Sequence, residues 1–131
     1  MGKPHQHAKS SAKKFGGKLE DYLDIHILLD SSKMAFADNR HRALTHNSWF
    51  INHILPKIFG DTITNSDGKL ISTIDIGEQH VLEDFNQQFV PTVQDYLLEM
   101  NRRNWMNGQG LPPSTYSKEE KEDIVKFKFS K

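Results

Sequence analysis

Histidine and aspartate stand four residues apart twice in this chain, as His26 with Asp30 and as His80 with Asp84. Four residues is slightly more than one helical turn, so each pair stacks on one face of a helix. The first pair shares its face with Leu19, Tyr22 and Leu23, and the second lies beside Val81 and Phe85. A polar group on a core-facing stripe costs roughly 1–3 kcal/mol if left unsatisfied, so pairing or coordination must compensate it. A third segment reads Arg40-His41-Arg42 and continues to His46, at the border of an apolar face. Five residues turn His41 and His46 about 140° apart on a helix, so they do not chelate one ion as neighbours. Three segments can nevertheless converge His26, His46 and His80 on one point, with Asp30 or Asp84 beside them. Zinc, manganese or iron accepts such nitrogen and oxygen ligands, whereas calcium and magnesium prefer oxygen alone.

Around such an ion Asp30 or Asp84 would serve as general base, and His41 with Arg40 and Arg42 would hold an anion at the positive end of a helix. Simpler roles stand beside these. A histidine and a carboxylate at this spacing often form only a hydrogen bond at a helix surface, and the arginines can pair with Asp38 or with acidic residues of the preceding helix. His53 is expected to be exposed, and His5 and His7 to be solvated unless His7 folds back to join the site. Asn65-Ser66-Asp67-Gly68 lacks the further acidic positions of a calcium loop and reads as a turn. G-x-S-x-G, the Walker phosphate loop, G-x-G-x-x-G and H-E-x-x-H are all missing, which argues against the common nucleotide folds.

The elements that must position these groups can be read from periodicity. Residues 1–17 are rich in lysine, serine and glycine and read as a basic N-terminal arm with a short helical turn. Leu19, Tyr22, Leu23, Ile27 and Met34 predict a first long helix over 18–36. Asp38-Asn39 can cap a second helix running to about Phe59, with Pro56 kinking its last turn. Thr62–Thr64 and Leu70–Ser72 flank the turn as a hairpin at 62–72. Asp75 with Glu78 predicts a capping box before a third helix, Ile76 to Phe85, and Pro91-Thr92 opens a fourth that ends near Trp105. A helical domain with its hairpin thus occupies 18–106, and 107–131 reads as a C-terminal tail, a charge run followed by an alternating stretch that can add an edge strand. The fold class is mainly α, a compact bundle of about four helices with one small β-hairpin.

Composition narrows the chemistry. The 131 residues suit one core, and 17 basic against 17 acidic residues leave no global field to recruit nucleic acid or an anionic membrane. Cysteine is absent, which removes disulfides, thiol nucleophiles and thiolate metal sites. No apolar run approaches the roughly 20 residues of a membrane helix, and the basic N-terminus has no apolar stretch after it, so a soluble cytoplasmic protein is expected.

The chain resembles a family of short bacterial and phage proteins, one of the domain-of-unknown-function families. The resemblance rests on His7-Ala8-Lys9-Ser10-Ser11-Ala12, Phe15-Gly16-Gly17, the His26 to Lys33 segment, Arg40-His41-Arg42-Ala43-Leu44 with His46, Asn65-Ser66-Asp67-Gly68, Gly77-Glu78-Gln79-His80 with Glu83-Asp84, and Pro91 to Leu98. It covers about residues 5–100. Trp49 departs from the small residue of the family pattern, and the tail beyond Trp105 lies outside it. The resemblance implies a bacterial or phage origin and one functional unit from His7 to Asp84, and it carries no activity. Helical metal phosphohydrolases of the HD type offer an analogy of chemistry only, because the adjacent His-Asp pair that defines them is missing.

Two readings follow. In the first, a divalent metal, zinc or manganese, is held by His26, His46 and His80 near Asp30 and Asp84, and the domain hydrolyses a nucleotide or another phosphoester. In the second, the same residues form a closed structural metal site or a buried polar network, and the domain binds a protein partner. A nucleic-acid accessory role for the basic arm is the weakest of the alternatives, because a few lysine contacts are easily screened.

Overall fold

The structure, a computed structural model, describes residues 3–111. The chain divides into two compact units, residues 1–97 and 98–131. The first holds six α-helices among its described residues: α1 Pro4–Phe15, α2 Leu23–Asp30, α3 Arg42–Thr45, α4 Leu55–Phe59, α5 Thr73–Asp84 and α6 Val93–Leu97. Between α4 and α5 lies a two-stranded antiparallel sheet of β1 Thr62–Thr64 and β2 Leu70–Ser72, paired Thr62↔Ser72, Ile63↔Ile71 and Thr64↔Leu70. The mainly helical class and the hairpin agree with the sequence reading; the number of helices does not. In the second unit, a 3₁₀ turn at Asn104–Asn107 ends at Gly108, whose φ of +81° suits glycine. The expected charge run and edge strand beyond residue 111 lie outside the described residues.

The extra helices come from two sources. Residues 1–17, expected as an arm, contain α1, a three-turn helix packed on α2 and α5. Pro4 pre-sets its first turn. Its buried face is His7, Ala8 and Ser11, too small and polar to give an apolar stripe. The long helices predicted over 18–36 and 38–59 are each divided. The first becomes a 3₁₀ turn at Leu19–Asp21, then α2, then a 3₁₀ turn at Ser31–Met34. The second breaks at His46, where ψ is +57°, and resumes through a π-helical turn at Phe50–Ile54 into α4.

Asn47 explains the break at His46. Its side-chain amide donates to Ala43 O at 3.0 Å and its Oδ1 accepts from Phe50 N at 2.8 Å, so one residue closes α3 and caps the turn that follows. Pro56 has no N–H for the carbonyl four residues before it, and the π turn precedes it. Helix α5 begins three residues earlier than predicted because Ser72 caps it, accepting from Asp75 N. Helix α6 stops at Leu97 and does not reach Trp105; Leu97, Leu98 and Met100 are exposed, so no burial sustains the pattern.

The apolar core is Ala8, Tyr22, Ile25, Leu28, Leu29, Ile51, Leu55, Ile71, Ile76 and Val81. The hairpin loop acts as a clasp on the end of α1. Buried Asn65 accepts from Asp67 N and Lys69 N within the loop and donates to Phe15 O and Tyr22 Oη. Asp67 accepts from Gly17 N at 2.8 Å, and Asp21 accepts from Ser66 N and Ser66 Oγ. Gly17, at φ +73°, must lack a side chain, since a Cβ there would lie 2.9 Å from the Asn65 Cβ.

Gly77 lies in α5 for a different reason: an added Cβ would stand 2.5 Å from Leu55 Cδ1 and 3.2 Å from Ile51 Cγ2. Helix propensity alone would make Gly77→Ala stabilising by about 1 kcal/mol, but overpacking costs about 1–3 kcal/mol. Urea unfolding is therefore expected to show a lower midpoint for Gly77→Ala, reflecting a net loss of up to about 2 kcal/mol; a higher midpoint would mean that α4 yields freely.

Candidate functional site

Five histidines are buried: His7, His26, His41, His46 and His80. Four of them gather around Asp30 and Asp84, with His7 from α1, His26 and Asp30 from α2, His46 from the end of α3, and His80 and Asp84 from α5. The His46 and His80 ring centroids are 4.9 Å apart, those of His26 and His80 5.1 Å, and those of His7 and His80 3.8 Å. The three imidazoles expected to converge therefore share one interior, and His7 folds in with them.

Pairing within this interior runs mostly between elements. His46 Nε2 lies 2.8 Å from Asp84 Oδ2 and 3.8 Å from Asp30 Oδ1. His80 Nε2 lies 3.1 Å from Asp30 Oδ1 and 3.4 Å from Asp84 Oδ2. These four atoms, one each from Asp30, His46, His80 and Asp84, all fall within 4.8 Å of one another and could hold a metal ion. Zinc with bonds of about 2.0–2.1 Å has a tetrahedral edge of about 3.3 Å, which the four nitrogen–oxygen separations of 2.8–3.8 Å bracket. Of the other oxygens, Asp30 Oδ2 is buried without a hydrogen-bond partner among the described residues, and Asp84 Oδ1 lies 3.3 Å from His7 Nε2 as its ion-pair partner.

The other expected site residues stand apart from this group. His26 was expected as a ligand, but its Nδ1 meets His80 Nδ1 at 2.8 Å and its Nε2 meets Ser11 Oγ at 2.7 Å, so both ring nitrogens are engaged. His41 places Nδ1 2.7 Å from Ser32 Oγ, and its Nε2 is buried without a partner. Arg40 is exposed and holds Asp38 through a 2.7 Å ion pair, the simpler of its two expected roles. Arg42 lies over the Phe85 ring at 5.0 Å, with Nε unpartnered. His5 and His53 are exposed.

Periodicity did not single out Gln79, Thr45 or Glu83, nor give Ser11 a role in this interior. Glu83 accepts from His7 Nδ1 at 2.7 Å and from Gln79 Nε2 at 3.0 Å. Thr45 Oγ1 stands 2.9 Å from His46 Nδ1 and donates to Leu29 O at 2.7 Å. Tyr96 Oη donates to the His46 carbonyl at 2.9 Å, and burial pushes its phenol up to about 12. Their signal was the position of Gln79 and Glu83 one turn apart beside His80, a face already polar.

Burial would raise Asp30 and Asp84, but hydrogen bonds from the histidines outweigh it and hold both carboxyls below their usual range. Burial lowers His46 to about 4 and His26 to about 2, the latter with help from neighbouring His80 and His7. Burial also opposes charge on His7, yet its bonds to Asp84 and Glu83 prevail and raise it. Among the described residues, the ion pairs of Asp30 and Asp84 are all with histidine.

The family model of a domain of unknown function, DUF6915, matches residues 2–106, and the chain belongs to that family. Comparison with curated proteins and with solved structures gives no match. The matched span contains every member of the cluster, from His7 to Asp84.

In protein kept with a chelator, His26 and His46 take up protons on unfolding once the pH falls below about 6.5, the ordinary histidine value. The unfolded chain then binds more protons, and stability should fall by up to about 1.4 kcal/mol per pH unit for each group between about pH 6.5 and 4. His7 acts in the opposite sense: its contribution is full below about 6.5 and is lost as pH rises through its raised folded value. The thermal midpoint should therefore drop clearly between about pH 7 and pH 5; an unchanged midpoint would show that these imidazoles are not buried in neutral form.

Proposed function

For this member of an unassigned family, we propose a divalent-cation centre formed by Asp30 and His46 with His80 and Asp84. The observation that carries it is the convergence of four donor atoms from three elements, two of them from buried carboxylates, with Asp30 Oδ2 left without a hydrogen-bond partner among the described residues. A divalent ion offsets two carboxylates, and neutral imidazole is the ligand form that His46 already favours. Side chains of His46, His80 and Asp84 are fully buried, and Asp30 nearly so. Four protein ligands in a closed interior match a structural zinc site better than a catalytic one, which keeps a position open. The ion would tie α2, the end of α3 and α5 together, and the domain would act by binding a protein partner, with Met34, Leu44 and Trp49 among its exposed apolar side chains.

Hydrolysis of a phosphoester or nucleotide is the second reading. It is favoured by Asp30 Oδ2, which has no hydrogen-bond partner among the described residues and could accept a proton from water beside the ion. His41 and Arg42 would then be the groups for the anion, because Arg40 is engaged by Asp38.

Protein purified without a histidine tag should carry or take up one equivalent of zinc or manganese per chain by elemental analysis. Free ion at 100 times Kd should stabilise it by about 2.7 kcal/mol, several degrees in thermal midpoint. Asp84→Asn should abolish that response and also make the metal-free protein less stable than the parent, since His7, His46 and His80 lose their shared carboxylate partner. No bound ion and no thermal response in the parent would end this reading. Incubation with nucleotides and phosphodiesters plus zinc or manganese separates the two readings: product that disappears in His80→Ala favours hydrolysis, and no product favours the closed centre.

A further inference from the structure

We propose that Gln79, Ser11 and His26 are positioning residues for this centre: together they hold the proton of His80 on Nδ1 and leave its Nε2 lone pair facing the cation. The inference rests on the cation reading and adds the residues that orient one of its ligands.

The direction of each hydrogen bond follows from groups that can act in only one way. Gln79 Nε2 faces two acceptors, His7 O at 3.1 Å and Glu83 Oε2 at 3.0 Å, which settles the amide orientation and puts Oε1 on Ser11. The Ser11 hydroxyl has one proton and two neighbours that only accept, Gln79 Oε1 and the His7 carbonyl at 3.1 Å. Its proton goes to one of them, so towards His26 it can only accept. His26 Nε2, 2.7 Å away, therefore carries hydrogen. A neutral imidazole has a single N–H, so His26 Nδ1 is bare and accepts from His80 Nδ1 at 2.8 Å. Nε2 is then the ring nitrogen left to face Asp30 Oδ1 at 3.1 Å and Asp84 Oδ2 at 3.4 Å, where a bound cation takes the place of the proton that the carboxylates otherwise accept.

A second chain of bonds gives His46 the same polarity. The Thr45 hydroxyl spends its proton on Leu29 O, so Thr45 Oγ1 accepts from His46 Nδ1, and Nε2 is the nitrogen left to face Asp84 and a cation beside it. Metal-bound histidines commonly donate their second ring N–H to a carboxylate or carbonyl, and loss of that partner typically weakens metal binding 10–100-fold. Here an imidazole, itself oriented by a serine, takes the carbonyl's place. His26 is thus a partner of a ligand rather than a ligand.

Two measurements test this. Long-range ¹H–¹⁵N spectra of the imidazoles in metal-free, full-length protein should show hydrogen on Nε2 of His26 and on Nδ1 of His80. Zinc titration in competition with a chromophoric chelator should show binding weakened about 10–100-fold in His26→Leu and Ser11→Ala. His26→Gln, whose amide oxygen can accept from His80 Nδ1, should recover most of the loss. If His26→Leu does not fold, Ser11→Ala and the spectra decide. A neutral His80 with its proton on Nε2, or undiminished zinc affinity in Ser11→Ala, would overturn the relay even if the parent binds zinc tightly. The expected tautomers in a parent that binds no zinc would instead overturn the cation reading, and with it the role assigned to the relay.

Discussion

Two carboxylates held among buried imidazoles govern how this domain is put together. Asp84 touches three histidines from three elements, His7, His46 and His80, and Asp30 touches two of the same set. Removing such groups from water is costly unless their partners are well placed. Every segment that enters this interior therefore arrives with a polar side chain in a set position, and the apolar core fills the space around it.

This demand accounts for the broken helices. A continuous helix through residues 38–59 would put His41 and His46 on different faces and carry the latter past the site. The stop at Asn47 leaves His46 at a helix terminus, where its backbone leaves the α region. On the other side, α1 needs small residues at Ala8 and Ser11 to come close to α2 and α5, and the hairpin loop clasps the glycine pair that ends it. The Asn65-Ser66-Asp67-Gly68 turn is thus part of the scaffold that holds His7 and Ser11 in place.

Periodicity exposed the centre better than it exposed the scaffold. The i, i+4 spacing of His26 with Asp30 and of His80 with Asp84 marked both helices, and the hairpin followed from its turn residues. Spacing defines a shared face but not what lies opposite. Asp30 consequently bonds to His80 of another helix, and His26, expected beside the ion, turns to Ser11. Helix α1 escaped notice because burial of polar atoms leaves no hydropathy signal. The divisions at His46 and before Pro56 depend on a single capping side chain and a missing N–H, which average propensity does not weigh.

The clasp and the polar seam beneath α1 also bear on the order of events as the chain is made. His7 meets Glu83 across 76 positions of sequence, and its carbonyl meets Gln79 across 72. Helix α1 can meet α2 early, through Ser11 and His26, but its contacts with α5 wait until that helix has been made. Contacts so distant along the chain slow folding, since loop-closure entropy is lost before they form. Until α5 has been synthesised, His7 lacks Glu83 and Asp84 and Ser11 lacks Gln79, so the polar seam beneath α1 is completed only then.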